Sequence, residues 1–286
     1  MVLKTSLSCW MEEIVFFNNK FLPAKQARLS ALSAGVLYGF GVFETMRSYR
    51  GRIVYFDEHL KRIKNSSHLL AIRFPYTLMK LKQIIRETIK INWVRDAYVR
   101  LTLWKSTQQA DTLIVVRKYN PHPLQKYETG FSAGVSSFRQ NEFSFFSGIK
   151  TTNRLLYELS LGEAKNKGFD EAIILNSWGY ISEATRSNVF FAKNKALFTP
   201  KLECGCLNGI TRKIIFDFAQ DSKIKIYQGN FTTQDLCRAE EAFLTNSLMG
   251  IMPLAAVEKQ RIGKAKCGQI TEHFMKKYAS LLTHGT

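Results

Sequence analysis

Four short segments of this 286-residue chain hold residue types that can do chemistry when a fold brings them together. Gly148-Ile149-Lys150-Thr151-Thr152-Asn153-Arg154 places a lysine just ahead of a helical stretch. Ile181-Ser182-Glu183-Ala184-Thr185-Arg186-Ser187-Asn188-Val189-Phe190 places a glutamate between two strand-like runs. Asn208-Gly209-Ile210-Thr211-Arg212 opens a helix. Gly41-Val42-Phe43-Glu44-Thr45, followed by Glu58-His59-Leu60-Lys61-Arg62, adds a strand and then an arginine on a helix.

Each segment meets a distinct chemical need. A helix N-terminus with Gly and Thr offers free N–H groups and a hydroxyl to a phosphate. An arginine from elsewhere can pair with the same phosphate. A lone glutamate can keep a pyridine nitrogen protonated. A lysine whose pKa is lowered by desolvation or a cationic neighbour can form a Schiff base. Together these are the needs of pyridoxal 5′-phosphate. Spacing alone does not establish it, because Lys and Glu are common and usually solvated.

Other chemistries lack their signatures. No G-x-G-x-x-G follows a strand, and there is no phosphate-binding Walker loop and no G-x-S-x-G. The five histidines pair with no Ser or Cys at a useful spacing, and His59 reads as structural. The five cysteines (Cys9, Cys204, Cys206, Cys237, Cys267) are odd in number and scattered. They suit reduced thiols in a cytoplasmic protein rather than a disulfide framework. Cys204-Gly205-Cys206 is the one close pair, which is too little for zinc, so no metal is expected.

Lys plus Arg is 41 against 23 Asp plus Glu, a formal charge of +18. Such a charge reads first as a lysine-rich soluble surface and second as attraction for a small anionic substrate. No basic run interleaved with aromatics and no known module speaks for nucleic acid. No segment is long and apolar enough to span a membrane, and the N-terminal stretch, interrupted by Glu12 and Glu13, does not read as a signal peptide.

The elements that must position these residues form an α+β pattern with mixed sheets rather than a regular βαβ succession. Val42 to Tyr49 and Ile53 to Phe56 read as a hairpin across Arg50-Gly51, with Asp57 as the N-cap of the next helix. A second helix starts near Thr77, carrying Leu78, Leu81, Ile84, Ile85 and Ile89 at helical spacing. Between Tyr98 and Trp104, Val99, Leu101 and Leu103 alternate with polar residues that include Arg100. Leu113 to Val116 is a further strand.

Arg117 to Gly130 reads as a linker, which divides the chain into 1–116, 117–130 and 131–286. Beyond it, 153–167 reads as a helix stopped by Gly168. Strands are expected at Ala172 to Leu175, Tyr180 to Glu183, Val189 to Ala192, Ala196 to Thr199, around Ile224 and Ile226, and at Ala242 to Thr245. The chain closes on a helix bearing Ile270, Phe274 and Tyr278.

Taken in chain order, these segments belong to a match that runs from about Leu37 to Pro253 and resembles the fold-type IV pyridoxal-phosphate enzymes. That family includes branched-chain aminotransferases, D-amino-acid aminotransferases and 4-amino-4-deoxychorismate lyases. S-E-x-x-x-S-N-V-F with the following G-I-T-R carries most of the resemblance, and G-V-F-E-T with E-H-L-K-R-I the next share.

The resemblance implies a small N-terminal and a larger C-terminal α+β domain with flanking helices and the cofactor in the cleft between them. It also implies a homodimer whose small domains complete the neighbouring sites. Lys150 would be the Schiff-base lysine and proton shuttle, and Glu183 the partner of the ring nitrogen. Arg62, Ile210 and Thr211 would hold the phosphate, with Ser247 near it and near a substrate carboxylate. Tyr38, Phe43, Arg100 and Arg154 would bind substrate.

Arg154 stands where many aminotransferases of the family carry tyrosine, and Thr245-Asn246-Ser247-Leu248-Met249-Gly250 resembles the lyases. These residues favour an aminodeoxychorismate lyase, which releases pyruvate and leaves 4-aminobenzoate, a folate precursor. Phe40, Ala184 and Arg186 depart from the family pattern and leave the substrate open. The alternative is an aminotransferase acting on branched-chain or D-amino acids with 2-oxoglutarate. A non-catalytic basic binding protein would instead show steeply salt-dependent binding to DNA or RNA.

Overall fold

The computed structural model describes residues 12–106, 110–264 and 267–284. Cys9 and most of the N-terminal stretch expected to lack a signal peptide lie outside the described residues. Among the described residues no helix is long and apolar enough to cross a membrane.

Alternation builds the first sheet. Its strands are β1 (Ile14–Phe17), β2 (Lys20–Pro23), β3 (Gly41–Tyr49), β4 (Arg52–Ile53), β5 (Ala97–Trp104) and β6 (Asp111–Lys118). They lie in the order β2-β1-β6-β5-β3-β4, antiparallel throughout. Val99, Leu101 and Leu103 of β5 all point into the core, as their spacing predicts. Helices α1 (Ala34–Leu37), α2 (Phe56–Leu69) and α3 (Leu78–Ile91) accompany this sheet. Leu60 and Ile63 of α2, with Leu81, Ile84, Ile85 and Ile89 of α3, close its core. Thr77 caps α3, its hydroxyl accepting from the Lys80 N–H at 3.2 Å.

The expected second hairpin strand ends early, at Ile53 rather than Phe56. Tyr55 adopts a left-handed conformation (φ 50°), which turns the chain so that Phe56 begins α2. Asp57 is therefore not the N-cap; it sits with Glu58 inside the first turn, where the helix dipole favours carboxylates. The β1–β2 hairpin was not anticipated. It turns through Asn18 and Asn19, both at positive φ.

The chain leaves the first sheet at Lys118 and enters the second at Phe131. The expected linker is more ordered than its prolines suggest. Arg117 and Lys118 belong to β6, and α4 (Leu124–Thr129) starts after Pro123.

The second sheet contains β7 (Phe131–Gln140), β8 (Glu171–Asn176), β9 (Ile181–Ala184), β10 (Asn188–Lys193), β11 (Ala196–Pro200), β12 (Ile226–Gly229), β13 (Glu241–Asn246), β14 (Gly250–Val257) and β15 (Gln260–Arg261). Its order is β12-β11-β10-β13-β14-β7-β8-β9, with β15 on β14. The pairs β11–β12, β14–β7 and β7–β8 are parallel, so this sheet is mixed. Helices α5 (Leu155–Asn166), α6 (Ile210–Asp221), α7 (Thr233–Cys237) and α8 (Gln269–His284) accompany it. Ile214, Ile215 and Phe218 of α6 meet Phe274 and Tyr278 of α8 in one apolar cluster with Phe190 and Phe243. The whole is the α+β architecture the sequence pattern suggested.

Candidate active site

Lys150 is positioned by the first sheet although it precedes a helix of the second half. The Phe43 N–H donates to the Lys150 carbonyl at 3.0 Å, and the Thr152 N–H donates to the Gly41 carbonyl at 2.9 Å. Val42 and Thr151 form an isolated antiparallel bridge. The Thr152 hydroxyl adds a bond to the Gly39 carbonyl at 2.6 Å. The lysine is thus stitched to β3 and projects into a cavity of about 440 Å³ between the two sheets. Its Nζ lies 4.8 Å from the Phe43 ring centroid. Burial, then the Arg62 and Arg154 charges, bring its pKa from 10.5 down to about 8, against the opposing pull of Glu44 and Glu183.

Glu183 lies on β9, all four residues of which are buried. Oε1 accepts from the Tyr157 hydroxyl at 3.0 Å and Oε2 from the Leu207 N–H at 3.1 Å. Burial still pushes its pKa upward, because these donors and the nearby cations only partly offset the loss of water.

The start of α6 also lines the cavity, just beyond Leu207, whose N–H donates to Glu183. Its N-cap is Gly209, which supplies no side-chain cap, so the first-turn N–H groups of the helix have no such partner. Ile210 and Thr211 line the cavity there. A Cβ at 209 would lie 2.2 Å from Asn188 Oδ1, so a larger residue there would have to push the Asn188 side chain aside. Asn188 also secures the approach to the helix, donating to the Leu207 carbonyl at 2.8 Å.

Arg62 reaches this end from α2. Its Nε and Nη2 donate to the two oxygens of Glu44 at 2.6 and 2.8 Å, and Nη1 donates to the Asn208 carbonyl at 3.1 Å. Glu44 is fully buried, and His59 Nδ1 lies 2.7 Å from its Oε2. Burial would raise the Glu44 pKa, but Arg62 and His59 more than reverse that and hold it at about 2. His59 is structural, as expected: it helps fix the carboxylate that aims Arg62.

Ser247 lines the cavity from the turn after β13. Asn246 shapes that turn by accepting from the Leu248 and Met249 N–H groups, both at 2.9 Å. The Thr245 hydroxyl, also in the lining, is buried with no hydrogen-bond partner among the described residues.

Phe43, Arg100 and Arg154 line the opening as well. The Arg100 guanidinium lies 3.8 Å over the Phe43 ring, and that of Arg154 lies 3.6 Å over the Tyr157 ring. Arg154 also donates to the Thr185 carbonyl at 2.5 Å.

Tyr38 is the one expected site residue that the fold does not bring here. It is 72% exposed at the end of α1, and it does not line the cavity of its own chain. The cause is the short helix. Gly35 is buried against Trp104, which leaves Val36, Leu37 and Tyr38 facing outward.

Sequence reasoning assigned no role to Glu44, Tyr157, Asn188, Thr245, Asn246 or Arg186, although all but Tyr157 stand inside quoted segments. Arg212 is buried and bonds Pro200, Gln228 and Asn208, bracing the loop before α6.

The chain is similar to known proteins over nearly its whole length. A protein of Methanocaldococcus jannaschii, provisionally named a branched-chain-amino-acid aminotransferase, is 31% identical across 94% of this chain and 96% of its own. The aminodeoxychorismate lyase of Bacillus subtilis is 29% identical across 90% and 91%. The crystal structure of an Escherichia coli branched-chain amino acid aminotransferase superimposes with a TM-score of 0.91 at 26% identity, covering 96% of both chains. The family model for amino-transferase class IV matches residues 41–257, which contain every cavity-lining residue described above, and the chain belongs to that family.

Proposed function

We propose that this chain is a pyridoxal 5′-phosphate enzyme that releases pyruvate from 4-amino-4-deoxychorismate, leaving 4-aminobenzoate. The residues present fit the cofactor. The cavity lining offers helix N–H groups and Arg62 to a phosphate, a buried carboxylate to a ring nitrogen, and a primary amine of lowered pKa. The orphaned Thr245 hydroxyl gives a bound group one more hydrogen-bonding atom.

Bound there, the cofactor supplies an electron sink for the charge left when a proton departs from the amine-bearing carbon. The chain does the rest. Arg62 and the Ile210 and Thr211 amides hold the phosphate, with Ser247 beside it. Glu183 keeps the ring nitrogen protonated. Lys150 anchors the cofactor and, as a free amine, carries the proton; its pKa of about 8 leaves about a tenth of it in that form at pH 7, far more than an ordinary lysine. Phe43 supports the substrate ring.

The observation that carries the lyase reading is the basic character of the opening. Besides Arg62, three guanidinium groups line the cavity: Arg100, Arg154 and Arg186, the last paired with Glu158 at 3.0 Å. A dicarboxylate needs such forks, and a stacked guanidinium still presents its N–H edge. A branched-chain side chain would gain little from them, whereas the 2-oxoglutarate of an aminotransferase would use them as the lyase substrate does. The aminotransferase reading, with branched-chain or D-amino acids and 2-oxoglutarate, is favoured instead by the M. jannaschii and E. coli relatives.

A homodimer belongs to the proposal. Val36, Leu37 and Tyr38, and Phe143, Phe145 and Phe146 just ahead of Lys150, are exposed apolar groups in a single chain. A second copy covering them would turn Tyr38 from a solvated residue into a wall of the neighbouring site. The four described cysteines are free thiols, which supports a cytoplasmic location.

The test is turnover of aminodeoxychorismate by cofactor-loaded protein without any keto acid. Equal amounts of 4-aminobenzoate and pyruvate over many turnovers are the expected result. No product, together with turnover of amino acids once 2-oxoglutarate is added, would establish the aminotransferase.

A further inference from the structure

Tyr157 lies three residues after Arg154, a spacing that puts both side chains on one face at the start of α5. The Arg154 guanidinium covers the Tyr157 ring at 3.6 Å and is tethered to the Thr185 carbonyl. The Tyr157 hydroxyl in turn donates to Glu183 Oε1 at 3.0 Å. The other carboxylate oxygen takes the Leu207 N–H from the loop before α6. Glu183 is thus held at both oxygens, by donors from two different elements.

We propose that Tyr157 is the positioning residue that aims Glu183 at the cofactor ring and favours its carboxylate form, and that Arg154 acts on that carboxylate through Tyr157. The inference rests on the reading of Glu183 as the partner of the ring nitrogen.

The physical case is a competition at one carboxylate. Only an ionised carboxylate can hold a ring nitrogen protonated, yet burial favours the neutral acid. Donors on both oxygens stabilise the charge. A phenol serves well here because burial and the Glu183 charge push its own pKa further up, so it remains a donor throughout the working range. The Arg154 cation over the ring favours electron density on its face and lends positive potential to the same carboxylate. The charged and titratable groups around Glu183 are Arg154 and Tyr157 of α5, Lys150 ahead of that helix, and Cys206 next to Leu207. Of these, Tyr157 is the one whose side chain donates directly to the carboxylate.

Tyr157→Phe removes one O–H and keeps the ring beneath Arg154. The decisive readout is the Glu183 carboxyl in cofactor-free protein, titrated by carbon-13 NMR of labelled glutamate and identified by its loss in Glu183→Gln. Its pKa is expected to rise by about one to two pH units in Tyr157→Phe, the usual worth of a hydrogen bond to a charged acceptor. Arg154→Met should raise it by less. In the loaded enzyme, Tyr157→Phe should lower kcat with little change in KM. A merely structural tyrosine would lower Tm without moving this titration.

A Glu183 that titrates in Tyr157→Phe as it does in the wild type would overturn the proposal. If the titration moves but the absorbance of bound pyridoxal phosphate is unchanged in Glu183→Gln, the hold of Tyr157 on Glu183 stands. That second result would sink the assignment of Glu183 to the ring nitrogen instead.

Discussion

Replacing Glu44 by Gln tests how Arg62 is held at the cavity. The carboxylate is inaccessible to solvent and takes two bonds from Arg62 and one contact from His59. Its pKa in the folded chain is about 2, against an ordinary 4.5. That depression corresponds to roughly 3.4 kcal/mol at 1.36 kcal/mol per unit. The folded pKa lies below the unfolded one, so this stabilisation is fully present above pH 4.5 and is lost as pH falls toward 2. At pH 3 about 1.4 kcal/mol of it should remain.

Gln keeps the shape but turns one acceptor into a donor that faces the Arg62 or His59 protons. The assay is urea unfolding of cofactor-free wild type and Glu44→Gln at pH 7 and pH 3. The variant should be less stable by about 3 kcal/mol at pH 7, and the gap should shrink by about 2 kcal/mol at pH 3. Taking the difference between the two proteins cancels the other carboxylates. A gap that is the same at both pH values would refute the account of Glu44 as a buried anion held by Arg62 and His59.

Lys150→Ala should bind pyridoxal phosphate without covalent attachment, seen as a bound chromophore that borohydride does not fix to the protein, and should lose nearly all turnover. The rate at which cofactor-free wild type takes up pyridoxal phosphate should rise with pH to a midpoint near 8, because the amine is the nucleophile and its pKa is about 8; a midpoint near 10 in stopped-flow absorbance would contradict the burial argument. Gly209→Ala should clash with Asn188 and displace the start of α6. It should cost about 1–3 kcal/mol in urea unfolding and weaken pyridoxal phosphate binding at least tenfold.

Most local structure was legible in the chain. The alternation at Val99, Leu101 and Leu103 and the helical spacing after Thr77 are properties of neighbours in sequence, and the folded protein repeats them. So is the end of α5, where Gly168 takes φ 83° just beyond the helix. Signals that depend on distant partners were not legible. The strand β7 contains Gly134 and four polar residues near its end, and β14 contains Pro253, so neither reads clearly as a strand; their parallel pairing places both deep in the sheet. Tyr55 gave no sign that it would turn left-handed and shift the start of α2.

The site divides in the same way. The resemblance carried by residue type and order along the chain picks out Lys150, Glu183, Arg62 and the Gly209-Ile210-Thr211 helix start as candidates, each bearing a functional group that the proposed cofactor chemistry needs. Packing settles what those groups become. The Lys150 backbone is bonded to β3, Glu44 turns Arg62 toward α6, and Tyr157 reaches Glu183 from a helix turn away. It also leaves Tyr38 in solvent. Functional groups are written into single residues, but their direction and proton affinity come from neighbours distant in sequence, which exist as neighbours only once the two sheets have met around the cavity.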